Sequence, residues 1–236
     1  MRALVLGGSG AVGAEVVRGL CAAGADTVFT YLRGAARAHD LGAETGARPE
    51  AVDLRSPEAI RGLVRSLGSL DLRSAPTVLV HCAAQSRAAS LGEITLSDWD
   101  DAVAVNCRAP FLACQALAPG FAAAGEAHVV LVCALDRAQS LPLPVHFAGT
   151  QGMLPALAMS LARELGPSGV RVNAVALGVL DAGISRDLPD EVRADYLSLS
   201  AFRRIGTVKE AAKAIVWLAL QNRYMSGKVL AVNGGI

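Results

Sequence analysis

A glycine-rich turn near the start of the chain has the composition and spacing of a phosphate-binding site. The run Gly8-Ser9-Gly10-Ala11-Val12-Gly13 matches the pattern G-x-G-x-x-G. Aliphatic residues 4–6 before it predict a buried strand, and valine and leucine recur at helical spacing over 12–20 until Gly24. Such a junction needs glycine for its tight, bare backbone, and the free N–H groups of the helix N-terminus favour an anion. The sequence therefore predicts a pyrophosphate site, with an ordinary glycine turn as the alternative.

The rest of the chain alternates strand and helix patterns, which predict the elements that position this turn. Further strands are expected over 27–31, 51–54, 77–82, 128–134, 169–176 and 228–232. Helices are expected over 57–67, about 96–124, about 147–165 and 208–220, and a polar excursion spans 178–200. Alternation of this kind is typical of a doubly wound parallel sheet. With 236 residues, 53% of them hydrophobic, the chain is expected to form a single α/β domain of Rossmann type with about seven strands.

Charge and cysteine content narrow the class of protein. The net charge of +1 gives no basic field for nucleic acid or an anionic membrane, so neither is expected as a partner. No uninterrupted apolar run is long enough to span a bilayer, which favours a cytoplasmic location. The five cysteines include no C-x-x-C pair and are interpreted as reduced core residues. The abundance of arginine and alanine suggests a bacterial source.

Six further segments match, in order, the pattern of the short-chain dehydrogenase/reductase family. They are Asp53-Leu54, Asn106, Ser160-Leu161-Ala162-Arg163-Glu164-Leu165-Gly166, Gly169-Val170-Arg171-Val172-Asn173-Ala174-Val175, Arg204-Ile205-Gly206 and residues 226–235. With the glycine turn they cover nearly the whole chain, which therefore resembles the single-domain branch of that family. The turn departs from the family's T-G-x-x-x-G-x-G, because Leu6 replaces the threonine and Ala11 the middle glycine, while Gly10 keeps the spacing of the family's longer branch.

The resemblance implies an NADP(H) site. In this family an acidic residue after the second strand binds the ribose 2′-hydroxyl, whereas an arginine accommodates a 2′-phosphate. Here the stretch reads Tyr31-Leu32-Arg33, so Arg33 favours NADP(H), the alternative being a solvated surface arginine. The resemblance also assigns Asp53 to the adenine amino group. The residues expected to bind the cofactor are Gly7, Ser9, Gly10, Ala11, Val12, Gly13, Arg33, Asp53, Leu54 and Ala83.

At the catalytic end the resemblance implies replaced groups. Counting back from Ser160, the family's Tyr-x-x-x-Lys falls on Phe147 and Gln151, and its serine falls on Ala134. Of the four usual catalytic residues only Asn106 remains. Phenylalanine has no exchangeable proton and glutamine has no charge, so proton transfer from a tyrosine is not available.

His146 and Asp136 are the candidates for acid–base chemistry in its place. Histidine titrates near neutral pH, and Asp136 lies on the loop expected to flank the substrate cleft. The alternative for His146 is a structural role, which is the more common one for a lone histidine at a helix start. Cys133 is a further nucleophile candidate, for which a small core residue is the simpler interpretation. No metal site is expected.

Three functions fit these residues. The leading expectation is a divergent enzyme that performs non-redox acid–base chemistry, such as dehydration, cyclisation or isomerisation, on a small carbonyl-bearing molecule. The alternatives are an NADPH-dependent ketoreductase whose proton comes from His146, water or the substrate, and a silent subunit that pairs with an active relative. NADP(H) is expected to bind, although the replaced residues argue against its use as a reductant. The long helices over 96–124 and 147–165 fit a homo-oligomer, or a hetero-oligomer with an active relative.

Overall fold

Seven parallel strands form the centre of the computed structural model, which describes residues 1–68, 75–134 and 143–236. The strands are β1 (Arg2–Leu6), β2 (Asp26–Tyr31), β3 (Arg48–Ala51), β4 (Val78–His81), β5 (Ala127–Cys133), β6 (Val170–Leu177) and β7 (Val229–Val232). Their order across the sheet is β3-β2-β1-β4-β5-β6-β7, and every neighbouring pair is parallel. The predicted doubly wound α/β fold is therefore confirmed.

Helices cover both faces of the sheet. They are α1 (Ala11–Ala22), α2 (Ala35–Thr45), α3 (Pro57–Gly68), α4 (Leu96–Val103), α5 (Ala109–Ala124), α6 (Val145–Leu165), α7 (Asp190–Leu199) and α8 (Val208–Leu220). Successive side chains of a strand point to opposite faces. In β1, Leu4 and Leu6 accordingly pack in a core with α3, α5 and α6, while Ala3 and Val5 pack in a second core with α1, α2 and α8. Burial on both faces explains why the central strands are continuous aliphatic runs.

The strand order reverses between β1 and β4, and this switch point positions the candidate site. In doubly wound sheets, ligands bind beyond the carboxyl ends of the strands where the order reverses. The last residue of β1, Leu6, is in register with His81 of β4. The glycine turn follows β1 directly, so it lies beside the chain that leaves β4.

Several elements differ from the sequence-based expectation. Strand β3 covers Arg48–Ala51 and not 51–54. The apolar residues Val52 and Leu54, which suggested a strand, are buried in the core just after β3 ends. Because β3 is an edge strand, it tolerates Pro49. Helix α2 was not predicted, since only Ala38 and Leu41 of its residues are buried. The polar excursion over 178–200 contains α7. The predicted helix over 96–124 is interrupted by a π-helical turn at Ala104–Arg108.

Candidate functional site

A cleft of about 1080 Å³ opens at the carboxyl ends of the strands. Every residue predicted to bind the cofactor lines it, namely Gly7, Ser9, Gly10, Ala11, Val12, Gly13, Arg33, Asp53, Leu54 and Ala83. The fold therefore brings together residues from β1, α1, the ends of β2 and β3, and the segment after β4. The residues thus lie around one cleft, and their contact with a cofactor stays a prediction.

The glycine turn is built so closely that side chains would not fit. Gly7 has φ +77°, and its N–H donates to Thr30 Oγ1 at 2.9 Å. The N–H of Gly10 donates to the Gly7 carbonyl oxygen at 3.2 Å. A Cβ on Gly13 would lie 2.3 Å from that same oxygen, and a Cβ on Gly7 would lie 2.6 Å from the Ala83 backbone. The turn thus holds α1 against the sheet and leaves a bare backbone facing the cleft.

The N-terminus of α1 opens into this cradle without a protein cap. Gly10 is the N-cap, no side chain caps the helix, and the first turn contains no acidic residue. The first N–H groups of a helix have no partner within the helix, and the helix dipole places partial positive charge there. The residues present therefore fit a phosphate or pyrophosphate group.

Two arginines extend the positive potential along the cleft. Arg33 follows β2, and Arg37 lies in the first turn of α2; both are exposed and both line the cleft. Gly34, at φ +70°, turns the chain between them. Within the described ranges neither arginine forms an ion pair, so both guanidinium groups can reach an anion. Arg37 was not among the predicted site residues; its only signal in the sequence is that it is a second basic residue close to Arg33.

Asp53 provides an ionised acceptor where the chain leaves β3. Its Oδ1 accepts the Arg55 backbone N–H at 2.9 Å, and its Oδ2 lies 2.7 Å from the Arg55 guanidinium. These hydrogen bonds hold the pKa of the Asp53 carboxyl below its usual range. Arg55 also pairs with Asp101 at 3.2 Å, which keeps this group of charges together at the cleft wall.

The other end of the cleft is mostly apolar. Phe147 and Gln151 lie one turn apart on α6 with 4% and 2% of their surface exposed, and both line the cleft. The Gln151 Oε1 accepts the backbone N–H of Ala134 at 3.0 Å. Because the Ala134 N–H needs an acceptor, the amide oxygen of Gln151 and not its nitrogen faces Ala134. The Gln151 Nε2 has no acceptor among the described residues, so it remains available to a ligand.

Two of the predicted catalytic residues, Asn106 and His146, do not line the cleft. Asn106, in the π-helical turn, is fully buried and bonds both backbone groups of Gln85. His146 is 1% exposed, and its Nε2 accepts the backbone N–H of Arg87 at 3.3 Å. Neither side chain lines the cleft. Asp136 lies outside the described residues. A catalytic role for any of the three stays a prediction.

The described residues contain no disulfide, no metal site and no membrane-spanning helix. All five cysteines are free, Cys133 is buried, and burial raises the pKa of the Cys82 thiol to about 12. Over 1–68, 75–134 and 143–236, no group of histidine, cysteine and acidic side chains has the arrangement of a metal site. In the same part of the chain, no helix is long and apolar enough to cross a membrane.

A parallel sheet with a glycine cradle at its switch point defines a Rossmann-type protein. A family model described as enoyl-(acyl carrier protein) reductase matches residues 8–236. Among curated proteins, the chain is 25% identical to 3-oxoacyl-(acyl-carrier-protein) reductase from Chlamydia muridarum, over 99% of this chain and 96% of the relative. It is 28% identical to gluconate 5-dehydrogenase from Gluconobacter oxydans, over 100% and 94%. A solved short-chain dehydrogenase from Burkholderia cenocepacia, in complex with NADP, is 30% identical with a TM-score of 0.89, covering 99% and 96%. The chain therefore belongs to the short-chain dehydrogenase/reductase family.

The comparisons correct the leading functional expectation. The relatives are named as a reductase and a dehydrogenase, which are oxidoreductases. The prediction of non-redox chemistry was therefore wrong. It gave too much weight to the absence of ionisable groups at Ala134, Phe147 and Gln151, although hydride transfer itself does not require such groups from the protein.

Proposed function

We propose that this protein is an NADP(H)-dependent oxidoreductase that interconverts a small carbonyl compound and the corresponding alcohol. The observation that carries the proposal is the composition of the cleft. A glycine cradle, an uncapped helix N-terminus and arginines without an ion pair lie at one end, and a mostly apolar wall that includes the Gln151 amide lies at the other. The named activities of the relatives support the same class of reaction.

In this proposal the charged end of the cleft holds the nucleotide. The turn at Gly7 to Gly13 and the start of α1 receive the pyrophosphate, Asp53 accepts from the adenine amino group, and Arg33 binds the 2′-phosphate. The Burkholderia cenocepacia relative, whose structure contains NADP, supports this assignment. NADP(H), when bound, supplies or accepts the hydride.

We also propose that Ala134, Phe147 and Gln151 replace the serine, tyrosine and lysine of the family. The Gln151 Nε2 then donates a hydrogen bond to the carbonyl oxygen of the substrate, because its own oxygen is held by Ala134. In the reducing direction the carbonyl carbon gains the hydride, and the oxygen takes a proton from water. An amide is a weaker partner than a positioned acid, so turnover should be roughly 10²–10⁴-fold slower than with a general acid.

The test measures NADPH absorbance and product mass together on a panel of ketones and 3-oxoacyl thioesters. Alcohol formed with equimolar NADPH consumption is the expected result. Gln151→Met, which matches the length of glutamine without its amide, should lower kcat/KM about ten-fold or more. Product formed without NADPH consumption, or no conversion of any compound by a protein that binds NADPH, would refute the proposal.

The cofactor preference has its own experiment. Calorimetric titration should give tighter binding of NADPH than of NADH, because the Arg33 guanidinium has no partner among the described residues and can pair with a 2′-phosphate. Arg33→Asp should reverse this preference. Arg61→Asp, a change of the same charge on a residue that does not line the cleft, is the control and should leave the preference unchanged. Equal affinities in the wild type would remove Arg33 as the selector.

We further propose a cytoplasmic protein that associates with a second copy or with an active relative through its long helices. Apolar side chains on these helices are unusually exposed, including Phe111 at 44% and Met159 at 52%. Sedimentation of Phe111→Glu and Met159→Glu should show a smaller species than the wild type. Tyr224→Glu, at a fully exposed loop residue, is the control. A wild type that sediments as a monomer and captures no relative would contradict association.

A further inference from the structure

The chain after β4 forms part of the cleft wall without regular secondary structure. We call residues 82–90 the β4 loop. Its first residues, from Cys82 to Gln85, line the cleft. A segment without helix or strand bonds needs side chains from elsewhere to fix its backbone.

Two buried side chains bind the backbone of the β4 loop. Asn106 accepts the Gln85 N–H through Oδ1 at 2.7 Å and donates to the Gln85 carbonyl through Nδ2 at 3.0 Å. The Nε2 of His146 accepts the Arg87 N–H at 3.3 Å. The Arg87 guanidinium is held in turn by Asp98 at 3.0 Å. These bonds hold the loop at and just beyond the C-terminal end of its cleft-lining part, while the Cys82 N–H donates to the Leu6 carbonyl oxygen at 2.9 Å at the other end.

Thr150 connects the Asn106 side chain to the backbone of α6. Asn106 Nδ2 donates to Thr150 Oγ1 at 2.8 Å, and that hydroxyl donates toward the His146 carbonyl oxygen at 3.0 Å. Thr150 is 1% exposed. The π-helical turn, the start of α6 and the β4 loop therefore meet at one buried group of hydrogen bonds, in which the His146 ring contacts the loop directly through the Arg87 N–H.

We propose that His146 is a positioning residue that holds the β4 loop in place as a wall of the cleft. The Nε2 accepts a hydrogen bond only when it carries no proton, so the neutral ring keeps its proton on Nδ1. The Nδ1 is buried and has no partner among the described residues. The His146 Nε2 faces the Arg87 backbone N–H, and the side chain does not line the cleft. In this proposal His146 therefore does not touch the reacting atoms. The importance of the wall rests on the proposed function, but the position of the loop is measured without activity.

Amide hydrogen exchange compares His146→Phe with His146→Gln. Phenylalanine fills similar space without an acceptor, whereas the glutamine oxygen can replace Nε2. In His146→Phe the Arg87 amide should exchange roughly two- to ten-fold faster than in the wild type, the range expected for one hydrogen bond. His146→Gln should restore slow exchange, which a purely space-filling role would not do.

Thiol labelling in the same molecules separates loop release from general unfolding. Cys82 begins the β4 loop and should react faster with a disulfide reagent in His146→Phe. Cys114, in α5 and 1% exposed, reports on the core and should react as in the wild type. Peptide mass spectrometry assigns each labelled cysteine.

Unchanged Arg87 exchange in His146→Phe, or equal defects in the Phe and Gln variants, would overturn the proposal. If His146→Phe does not fold, ¹⁵N NMR of the wild-type protein tests the proposal by showing which ring nitrogen of His146 carries the proton. The Nδ1–H tautomer supports a positioning role, and the Nε2–H tautomer refutes it. None of these results depends on whether the protein turns over NADPH, so a failure here is distinct from a failure of the proposed function.

Discussion

Replacing Gly13 by alanine tests whether the glycine turn is built as the structure shows it. The new Cβ would lie 2.3 Å from the Gly7 carbonyl oxygen and 2.9 Å from the Gly8 Cα, where ordinary contact begins at 3.4 Å. Both atoms belong to the backbone, so no side chain can move aside. Overpacking of this kind costs about 1–3 kcal/mol, and the helix propensity of alanine returns about 1 kcal/mol. We expect the upper end of that cost, for a net loss of about 2 kcal/mol.

The assay combines thermal unfolding with NADPH calorimetry. A loss of about 2 kcal/mol should lower the Tm by roughly 4–8 °C in a chain of this length. NADPH affinity should fall about ten-fold or more, because a displaced turn moves the N–H groups at the start of α1. Gly62→Ala is the matched control, since Gly62 lies inside α3 and no atom from outside its own helix turn and neighbours lies within 4 Å of the position that its Cβ would take. That variant should be stabilised by about 1 kcal/mol. A Gly13→Ala protein as stable as the wild type, with unchanged affinity, would refute the close-packed turn.

Three further predictions concern stability. Burial lowers the pKa of His81 to about 4 from 6.5, so the unfolded state binds the proton more tightly and stability should fall as the pH drops from 6.5 towards 4. His81→Leu should flatten this part of the pH profile in urea melts, and an unchanged slope would argue against the burial. Hydrogen bonds from Arg204, and then from Thr207, lower the pKa of Glu210 to about 2 from 4.5, so its stabilisation is complete above pH 4.5 and lost as the pH falls towards 2. Glu210→Gln should remove that dependence from the acid limb of the Tm profile. Thr207→Ala deletes the N-cap of α8 and should cost about 1 kcal/mol, or roughly 2–4 °C in Tm, whereas Thr207→Ser should retain most of it.

The glycine-turn end of the cleft could be predicted because several closely spaced glycines between a strand and a helix are typical of a phosphate-binding turn. Gly7 has a positive φ, and a Cβ on Gly13 would lie 2.3 Å from the Gly7 carbonyl oxygen, so both positions require glycine. The sequence therefore shows glycines at a fixed spacing. The helix over 208–220 was predicted with the bounds that the structure gives, since its buried residues keep a helical period. Local pattern and tertiary environment agree in both segments.

Other features depend on contacts that a sequence pattern does not contain. The π-helical turn at Ala104–Arg108 has no proline or glycine to mark it, and it places Asn106 where Gln85 and Thr150 can bind it. Among the described residues, β3 lies at the sheet edge and pairs with β2. Because an edge strand need not be apolar, β3 contains no apolar run from which its bounds could be predicted. The role of His146 could not be predicted either, because its partner is a backbone amide distant in sequence.

The two ends of the cleft also differ in the groups that form them: backbone N–H groups and glycines at one end, and side chains at the other. Backbone N–H groups and glycines have no side-chain substitute, so a chain that loses them loses the cradle. A side chain that binds the substrate oxygen can differ from chain to chain; here the Gln151 oxygen accepts the Ala134 N–H, and its Nε2 has no acceptor among the described residues. In the proposed reaction the hydride comes from the nucleotide at the glycine turn, so the side chains at the other end affect only how the substrate oxygen is bound and protonated. For this reason the side chains at Phe147 and Gln151 alone were a poor basis for excluding redox chemistry, whereas the intact cradle was the stronger indication of it.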